Sequence, residues 1–291
     1  MDERAALSVL DGVVGHAGDD AAIVDGLVVT TDMLHERTDF PAGTTRYTAG
    51  WRAVGASLSD VAAMGAAATA AVAAYAAPTF EEDELLAFVG GALDVCDRVG
   101  AEYVGGDLDT HQEFTVSTTA LGRTDDPVTR TGARPGDRVC VTGSLGRSGA
   151  ALRLFEDGDV GRANDLFQFE PRVAAGRALA PYASAMMDSS DGLARSLHQL
   201  AEASGCGFAV EGDAVPVDDA VHDVADDAAT VRDLGWYFGE DFELVCTVPE
   251  RDVPAARSAC PVPLSVVGRV TESGVTVDGE EMPDRGFTHG Q

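Results

Sequence analysis

The sequence predicts an α+β protein built as two halves that meet near residue 134. Helical and strand-like segments alternate along the whole chain. Forty-five per cent of the residues are apolar, enough for a substantial core. The strongest linker signal, GARPGD at 132–137, falls between two strand-like runs near the middle. The expected domains are therefore 1–134 and 135–291.

Taken in order, residues 21–24 and 27–33 are β-branched runs split by Asp25-Gly26, a hairpin signal. From Tyr47 to about Met64 the pattern is helical and free of proline. Residues 67–76 are dominated by alanine, so propensity does not separate strand from helix. Residues 81–99 read as a helix with acids in its first turn, where they suit the dipole. YVGGD and FTVSTTALGR read as strands. After the linker come a strand at RVCVTG, a helix over 146–157, a helix in PRVAAGRALA and a strand near Met186 and Met187. A helix over 192–204 and a strand at 208–210 follow. FELVCTV (242–248), LSVVGRV (264–270) and VTVDG (275–279) are the last strands.

The charge balance is extreme: 49 acids face 20 basic residues, all of them arginine, for a net charge of −29. Such self-repulsion opposes a compact state. Near molar salt the Debye length is about 3 Å and the repulsion is screened. The lysine-free, acid-rich composition resembles that of extreme halophiles and reads as adaptation to a salty cytoplasm. It argues against nucleic-acid or membrane-surface partners, both of which repel anions. The five cysteines form no CxxC pair, as expected of free thiols in a reducing compartment. The first residues, MDERAALSVLDG, lack the basic and apolar regions of a signal peptide, and no run is long enough to span a bilayer. A cytoplasmic protein is expected.

The sharpest chemical feature is a set of aspartates in small-residue settings: Asp19 and Asp20 in GDDAA, Asp32 in TTDM, Asp60 in SLSDVAAMGA, Asp107 in GGD, and Asp188 and Asp191 in MDSSDGL. Mg²⁺ takes oxygen ligands, commonly one or two carboxylates plus water and substrate phosphate. Thr30 and Thr31 add hydroxyl and carbonyl oxygens. In so acidic a chain a single Asp is more often a solvated charge, so context decides. Asp60 interrupts an apolar stretch where an unpaired carboxylate is costly to bury. Asp107 follows two glycines that permit close backbone approach. With no lysine there is no P-loop, and GSLGRSG (143–149) has neither phosphate-loop spacing. No HExxH pattern points to zinc. Arg130 is the candidate phosphate clamp.

The ordered set GDDAAIV, LVVTTDM, WRAVGASLSDVAAMGA, YVGGD, TRTGARPGDRVCVTGSLG, MDSSDGL and GEDFELVCTV resembles the thiamine-monophosphate kinases, part of the aminoimidazole ribonucleotide synthetase-like ATP-dependent superfamily. The resemblance runs from about residue 15 to the end. It implies a two-domain synthetase-like fold. The N-terminal sheet would pair with its twin across a homodimer, and the C-terminal α/β domain would close over ATP. It implies transfer of phosphate from ATP to thiamine phosphate, assisted by several Mg²⁺ ions. Carried onto this chain, the metal ligands fall on Asp20, Thr30, Thr31, Asp32, Asp60, Asp107, Asp188 and Asp191. ATP contacts fall on Tyr103, Gly106, Asp107, Arg130 and Ser190. Substrate contacts fall on Asp39, Glu240 and Phe287. Asp39 stands where the family usually has His, and the family's GYDHF-like ending is GFTHG here. No protein nucleophile is expected, because an ionised phosphate oxygen is itself the attacking group. Two other readings stay open: an ATP-dependent ligase of the same superfamily, and a cation-binding acidic protein without turnover.

Overall fold

The computed structural model describes residues 13–14 and 18–286. β1 (Ala22–Val24) and β2 (Leu27–His35) form the expected hairpin, with Asp25 at φ 51° and Gly26 at φ 75° in the left-handed turn. β3 (Ala67–Ala77), β4 (Glu102–Thr110) and β5 (Thr115–Arg123) complete a five-stranded sheet in the order β1-β2-β5-β3-β4. Only β3 and β4 run parallel. The alanine-rich segment is thus a strand, paired along its length on both edges. Tertiary pairing overrides alanine's weak β preference.

A short turn of helix, α1 (Glu36–Asp39), leads to α2 (Arg46–Ala63), capped by the Thr45 side chain, which accepts from Thr48 N. α3 (Glu82–Val99) ends at Gly100, which is left-handed at φ 72°. α2 packs on β2, β5 and β3 and against α3. The two helices touch backbone to backbone: a Cβ on Gly50 would strike Phe88 O, and one on Gly91 would strike Tyr47 O.

The second sheet contains β6 (Arg138–Thr142), β7 (Ala185–Asp188), β8 (Gly207–Val210), β9 (Leu244–Val248), β10 (Leu264–Thr271), β11 (Val275–Val277) and β12 (Glu280–Glu281), in the order β12-β11-β8-β10-β6-β9-β7. Around it lie α4 (Arg147–Glu156), α5 (Val160–Phe167), α6 (Val173–Leu179), α7 (Leu193–Ser204), α8 (Asp219–Val224), α9 (Ala228–Arg232) and α10 (Val253–Ala259). Sequence patterning did not anticipate α5, α8, α9 or α10. The strand expected from Phe242 begins at Leu244, because Phe242 sits at φ 54°, outside the extended region. The strand expected through Gly279 stops at Val277, where Asp278 (φ 52°) and Gly279 (φ 86°) turn the chain.

α2 belongs to both halves. Its Val54, Leu58 and Val61 share one core with Ala71 and Ala120 of the first sheet and with Met186, Leu244 and Cys246 of the second. Gly176 on α6 lies against the Ala62 carbonyl, with no room for a Cβ. Among the described residues, no helix is long and apolar enough to cross a membrane.

Candidate active site

Along β2, side chains alternate between faces. Thr30 and Asp32 turn toward α2. The Thr30 hydroxyl donates to Asp60 Oδ2 at 2.5 Å, and the Ser57 hydroxyl donates to Asp32 Oδ2 at 2.5 Å. Ser57 is itself 2.7 Å from the Thr118 hydroxyl, which donates to Ala53 O at 3.0 Å. Thr31 turns to the open face, where its hydroxyl donates to Thr118 O. Its side chain therefore does not join Thr30 and Asp32.

Asp60, on the last turns of α2, meets Asp188 at the end of β7 and Asp20 from the segment before β1. One carboxylate oxygen from each of Asp20, Asp60 and Asp188 lies within 4.8 Å of the others. Arg130 is the cation beside them. Its guanidinium grips Asp20 with two nitrogens, at 3.1 and 3.2 Å, and its backbone N–H donates to Asp19. One arginine does not neutralise this group. Burial, then repulsion from Asp32, Asp188 and Asp20, pushes Asp60 well above the usual carboxylate range. Burial and Asp20 raise Asp188 to about 7 and Asp19 to about 6. Burial also raises Asp32. Asp188 Oδ2 is buried with no hydrogen-bond partner among the described residues; the Ser59 hydroxyl beside it lies outside bonding geometry. An orphaned carboxylate oxygen within an under-neutralised cluster fits hard cations.

After β7, the chain turns through Ser190 and Asp191. Ser190 N donates to Asp188 Oδ1 at 3.3 Å, and Asp191 Oδ2 accepts from Gln199 at 3.4 Å. Against this turn lies the loop from Gly239 to Phe242, whose Glu240 N donates to Ser190 O at 2.6 Å. Glu240 is paired with Arg52 at 2.9 Å. Asp39 is buried, accepting from His35 N at 2.6 Å and from the Thr38 hydroxyl at 2.7 Å. Asp39 and Glu240 line one cavity of about 170 Å³ with Phe167 and Phe238.

Other acids nearby are fully partnered. Glu243 makes a two-pronged ion pair with Arg172, at 2.5 and 2.7 Å, and accepts from Thr142 at 2.6 Å. Asp241 accepts from Gly146 N at 2.6 Å and Ser148 N at 3.0 Å. The chain's own carboxylate thus occupies the helix N-terminus behind the GSLGRSG loop. Burial raises Asp241 to about 7 despite those bonds.

Tyr103, Gly106 and Asp107 lie elsewhere, on edge strand β4. Asp107 is three strand positions from β2, roughly 14 Å at the usual ~4.8 Å spacing, and it is exposed. Gly105, at φ 127°, forms a bulge there, and Gly106 lies too close to Ala73 O for any Cβ. Tyr103 packs partly into the core. Phe287 lies outside the described residues. Sequence reasoning singled out Asp19 beside Asp20 but passed over Arg52, Ser57, Ser59 and Thr118. Arg52 carried the signal used for Asp60, a charge set within an apolar helical run.

Residues 18–124 match the AIR synthase related protein N-terminal domain, and 134–279 match the corresponding C-terminal domain. The class is thus that of two-domain AIR synthase-related proteins, with a mixed α/β fold. Across 291 residues the chain is 65% identical to thiamine-monophosphate kinase of Halobacterium salinarum, covering 99% of this chain and 100% of that one. A solved complex of AaThiL with AMPPCP and TMP superposes with a TM-score of 0.89 at 27% identity, covering 99% and 97%. Thiamine-monophosphate kinase from Stenotrophomonas maltophilia gives a TM-score of 0.82 at 31% identity, covering 90% of each chain. The chain belongs to the thiamine-monophosphate kinase family.

Proposed function

We infer that this chain transfers the γ-phosphoryl group of ATP to the phosphate of thiamine monophosphate, giving thiamine diphosphate and ADP. The observation that carries this, beside family membership, is the convergence of Asp20, Asp60 and Asp188 next to Arg130. Both reactants are anions, and their repulsion is the obstacle. Asp20, Thr30, Asp32, Asp60, Asp188 and Asp191 would hold Mg²⁺, which supplies charge neutralisation and alignment of the phosphates. Thr31 would serve through its carbonyl. Arg130 binds nucleotide phosphate, with Ser190 contributing from the turn. No side chain need act as nucleophile or general base, because the acceptor phosphate is already ionised. Asp39, Glu240 and Phe287 receive the thiamine end, where carboxylates suit a cationic ring.

We assign residues 1–134 to the ATP and metal side and 135–291 to a domain that closes over nucleotide and substrate. A homodimer is part of this reading. Its support is the open face of the first sheet, where Met33 on β2 and Val104 on edge strand β4 are each 57% exposed and await cover. In a dimer paired there, Tyr103, Gly106 and Asp107 would complete the neighbouring copy's nucleotide site. The acidity, with a net charge of −29, fits a salty cytoplasm.

The test is ADP release in concentrated KCl with Mg²⁺, with and without thiamine monophosphate, following thiamine diphosphate by chromatography. Thiamine diphosphate formed in step with ADP is expected. ADP release driven instead by a purine precursor would replace this reading with the ligase. Metal binding with no turnover would replace it with a cation-binding protein.

A further inference from the structure

Two charged side chains interrupt the apolar run of α2. One is Asp60, in the carboxylate cluster. The other is Arg52, eight residues earlier and therefore about 12 Å away along the same helix. Its side chain is only 3% exposed. Its guanidinium stacks on Phe167, 3.5 Å from the ring centroid. One terminal nitrogen donates to Phe167 O at 2.8 Å and to the Ser148 hydroxyl at 3.2 Å. The other donates to Glu240 twice, to the backbone carbonyl at 3.2 Å and to the carboxylate at 2.9 Å.

The loop that Arg52 grips has an unusual backbone. Gly239 (φ 87°), Glu240 (φ 59°) and Phe242 (φ 54°) are all left-handed, and two of them carry side chains. Such a conformation persists only where its surroundings over-determine it. Those surroundings are visible. Glu240 N is tied to Ser190 O, and Glu240 O also accepts from the Ser148 hydroxyl at 2.7 Å. Phe242 is stacked on Phe169 at 4.1 Å, and Phe169 O accepts from the Trp51 indole N–H at 2.5 Å. Trp51 and Arg52 are neighbours on α2, so one turn of this helix holds the loop at both ends.

A buried arginine is a costly way to fill a core unless its geometry matters. Burial works against its charge, while Glu240, Asp241 and Asp39 favour it. The cavity lined by Asp39, Phe167 and Glu240 opens beside it.

We propose that Arg52 is a positioning residue for the acceptor: by fixing the Glu240 loop to α2, it holds the acceptor cavity at a set distance from the carboxylate cluster borne by the same helix. Arg52 is not in this account a group that touches the reacting atoms. It acts through Glu240. The proposal rests on the kinase reading above, in that the acceptor is taken to be thiamine monophosphate.

The consequence is selective. Loosening the loop should weaken acceptor binding far more than nucleotide binding, since Asp20, Asp60, Asp188 and Arg130 do not contact Arg52 and Ser190 is reached only indirectly, through the Glu240 N–H. The experiment is a double-mutant cycle of Arg52→Lys and Glu240→Gln. It is read by calorimetric Kd for thiamine monophosphate, by KM and kcat for both substrates, and by Mn²⁺ binding followed by electron paramagnetic resonance. Arg52→Lys keeps the charge but loses the planar, forked contact. It should raise Kd and KM for thiamine monophosphate about tenfold, a coupling typical of contacting residues. The Mn²⁺ titration should match wild type, and KM for ATP should change far less than KM for thiamine monophosphate. The Glu240→Gln effect should largely vanish in the Arg52→Lys background. Equal changes in both KM values, or additive effects of the two substitutions, would overturn the proposal. If Arg52→Lys does not fold, Ser148→Ala removes another donor from the same Glu240 carbonyl and is read for the same selectivity. A wild-type chain that bound thiamine monophosphate without phosphorylating it would end the kinase reading, yet the binding cycle would still decide the role of Arg52. A wild-type chain with no affinity for it would overturn both.

Discussion

Buried carboxylates gather at both ends of α2, and the two groups are treated differently. At the C-terminal end, Asp20, Asp32, Asp60 and Asp188 share Arg130 and a few hydroxyls, and Asp188 keeps one oxygen unpartnered. Toward the N-terminal end, Glu240 has Arg52, Glu243 has Arg172 and Thr142, and Asp241 has two backbone N–H groups. Burial of a charge is tolerated when it is paired and hydrogen-bonded. The second group meets that requirement within the chain. The first does not, so its compensation has to come from outside. Unmet charge, rather than the number of acids, separates a cation site from architecture in a protein carrying 49 of them.

Removing one carboxylate from each group should therefore have opposite effects on stability. The largest effect is expected from Asp60→Asn. Turnover should fall about 10³-fold, the scale of losing a major electrostatic contact to the transition state. The melting temperature without Mg²⁺ should hold or rise, because one of several repelling charges is gone. Steady-state kinetics and calorimetry check the two halves of this statement. Next comes Glu243→Gln, which removes the charge paired with Arg172 and turns one of the two acceptor oxygens into an NH2 group facing the Arg172 and Thr142 donors; it should cost up to about 3–5 kcal/mol in urea unfolding, as broken buried pairs do. Concentrated salt should not rescue it, since buried pairs are poorly screened. If Asp60→Asn destabilised as much as Glu243→Gln, the contrast between the two groups would fail.

A pH-dependent effect sharpens the comparison. Asp241 is partnered, yet burial lifts its pKa from 3.8 to about 7. As pH rises, the unfolded chain releases this proton first. The contribution to stability is therefore full below about pH 4 and is lost as pH climbs to about 7. Its slope is at most about 1.4 kcal/mol per pH unit. Asp241→Asn should flatten that part of the curve, measured by urea midpoints across the range at constant salt. An unchanged slope would mean that the Gly146 and Ser148 N–H groups fully offset burial.

Much of this was legible in the sequence, for identifiable reasons. Asp25-Gly26 announced the first hairpin because few dipeptides fit its left-handed turn. Asp60 stood out as a charge in an apolar helix. β3 was not legible, since alanine suits either structure and the decision came from strands β4 and β5 on its two sides. Nor were α8 and α9, helices of six and five residues, too short to show apolar periodicity of their own. The start of β9 was hidden because nothing local marks Phe242 as left-handed; stacking on Phe169 and the grip on Glu240 impose it. Thr31 was grouped with Thr30 by adjacency, but strand alternation sends its side chain to the opposite face. Asp107 shares the motif pattern, yet strand order puts it at the far edge of the sheet.

The shared core around α2 also governs how the molecule comes apart. Val54, Leu58 and Val61 are covered by residues from both sheets at once, and Gly176 brings α6 to backbone contact with the same helix. Neither half can loosen without exposing the helix that the other half is built on. Cleavage at the turn near residue 134 would leave two fragments each lacking one wall of its interior. Two sequence domains should therefore behave as one cooperative unit, with calorimetry showing a single melting transition.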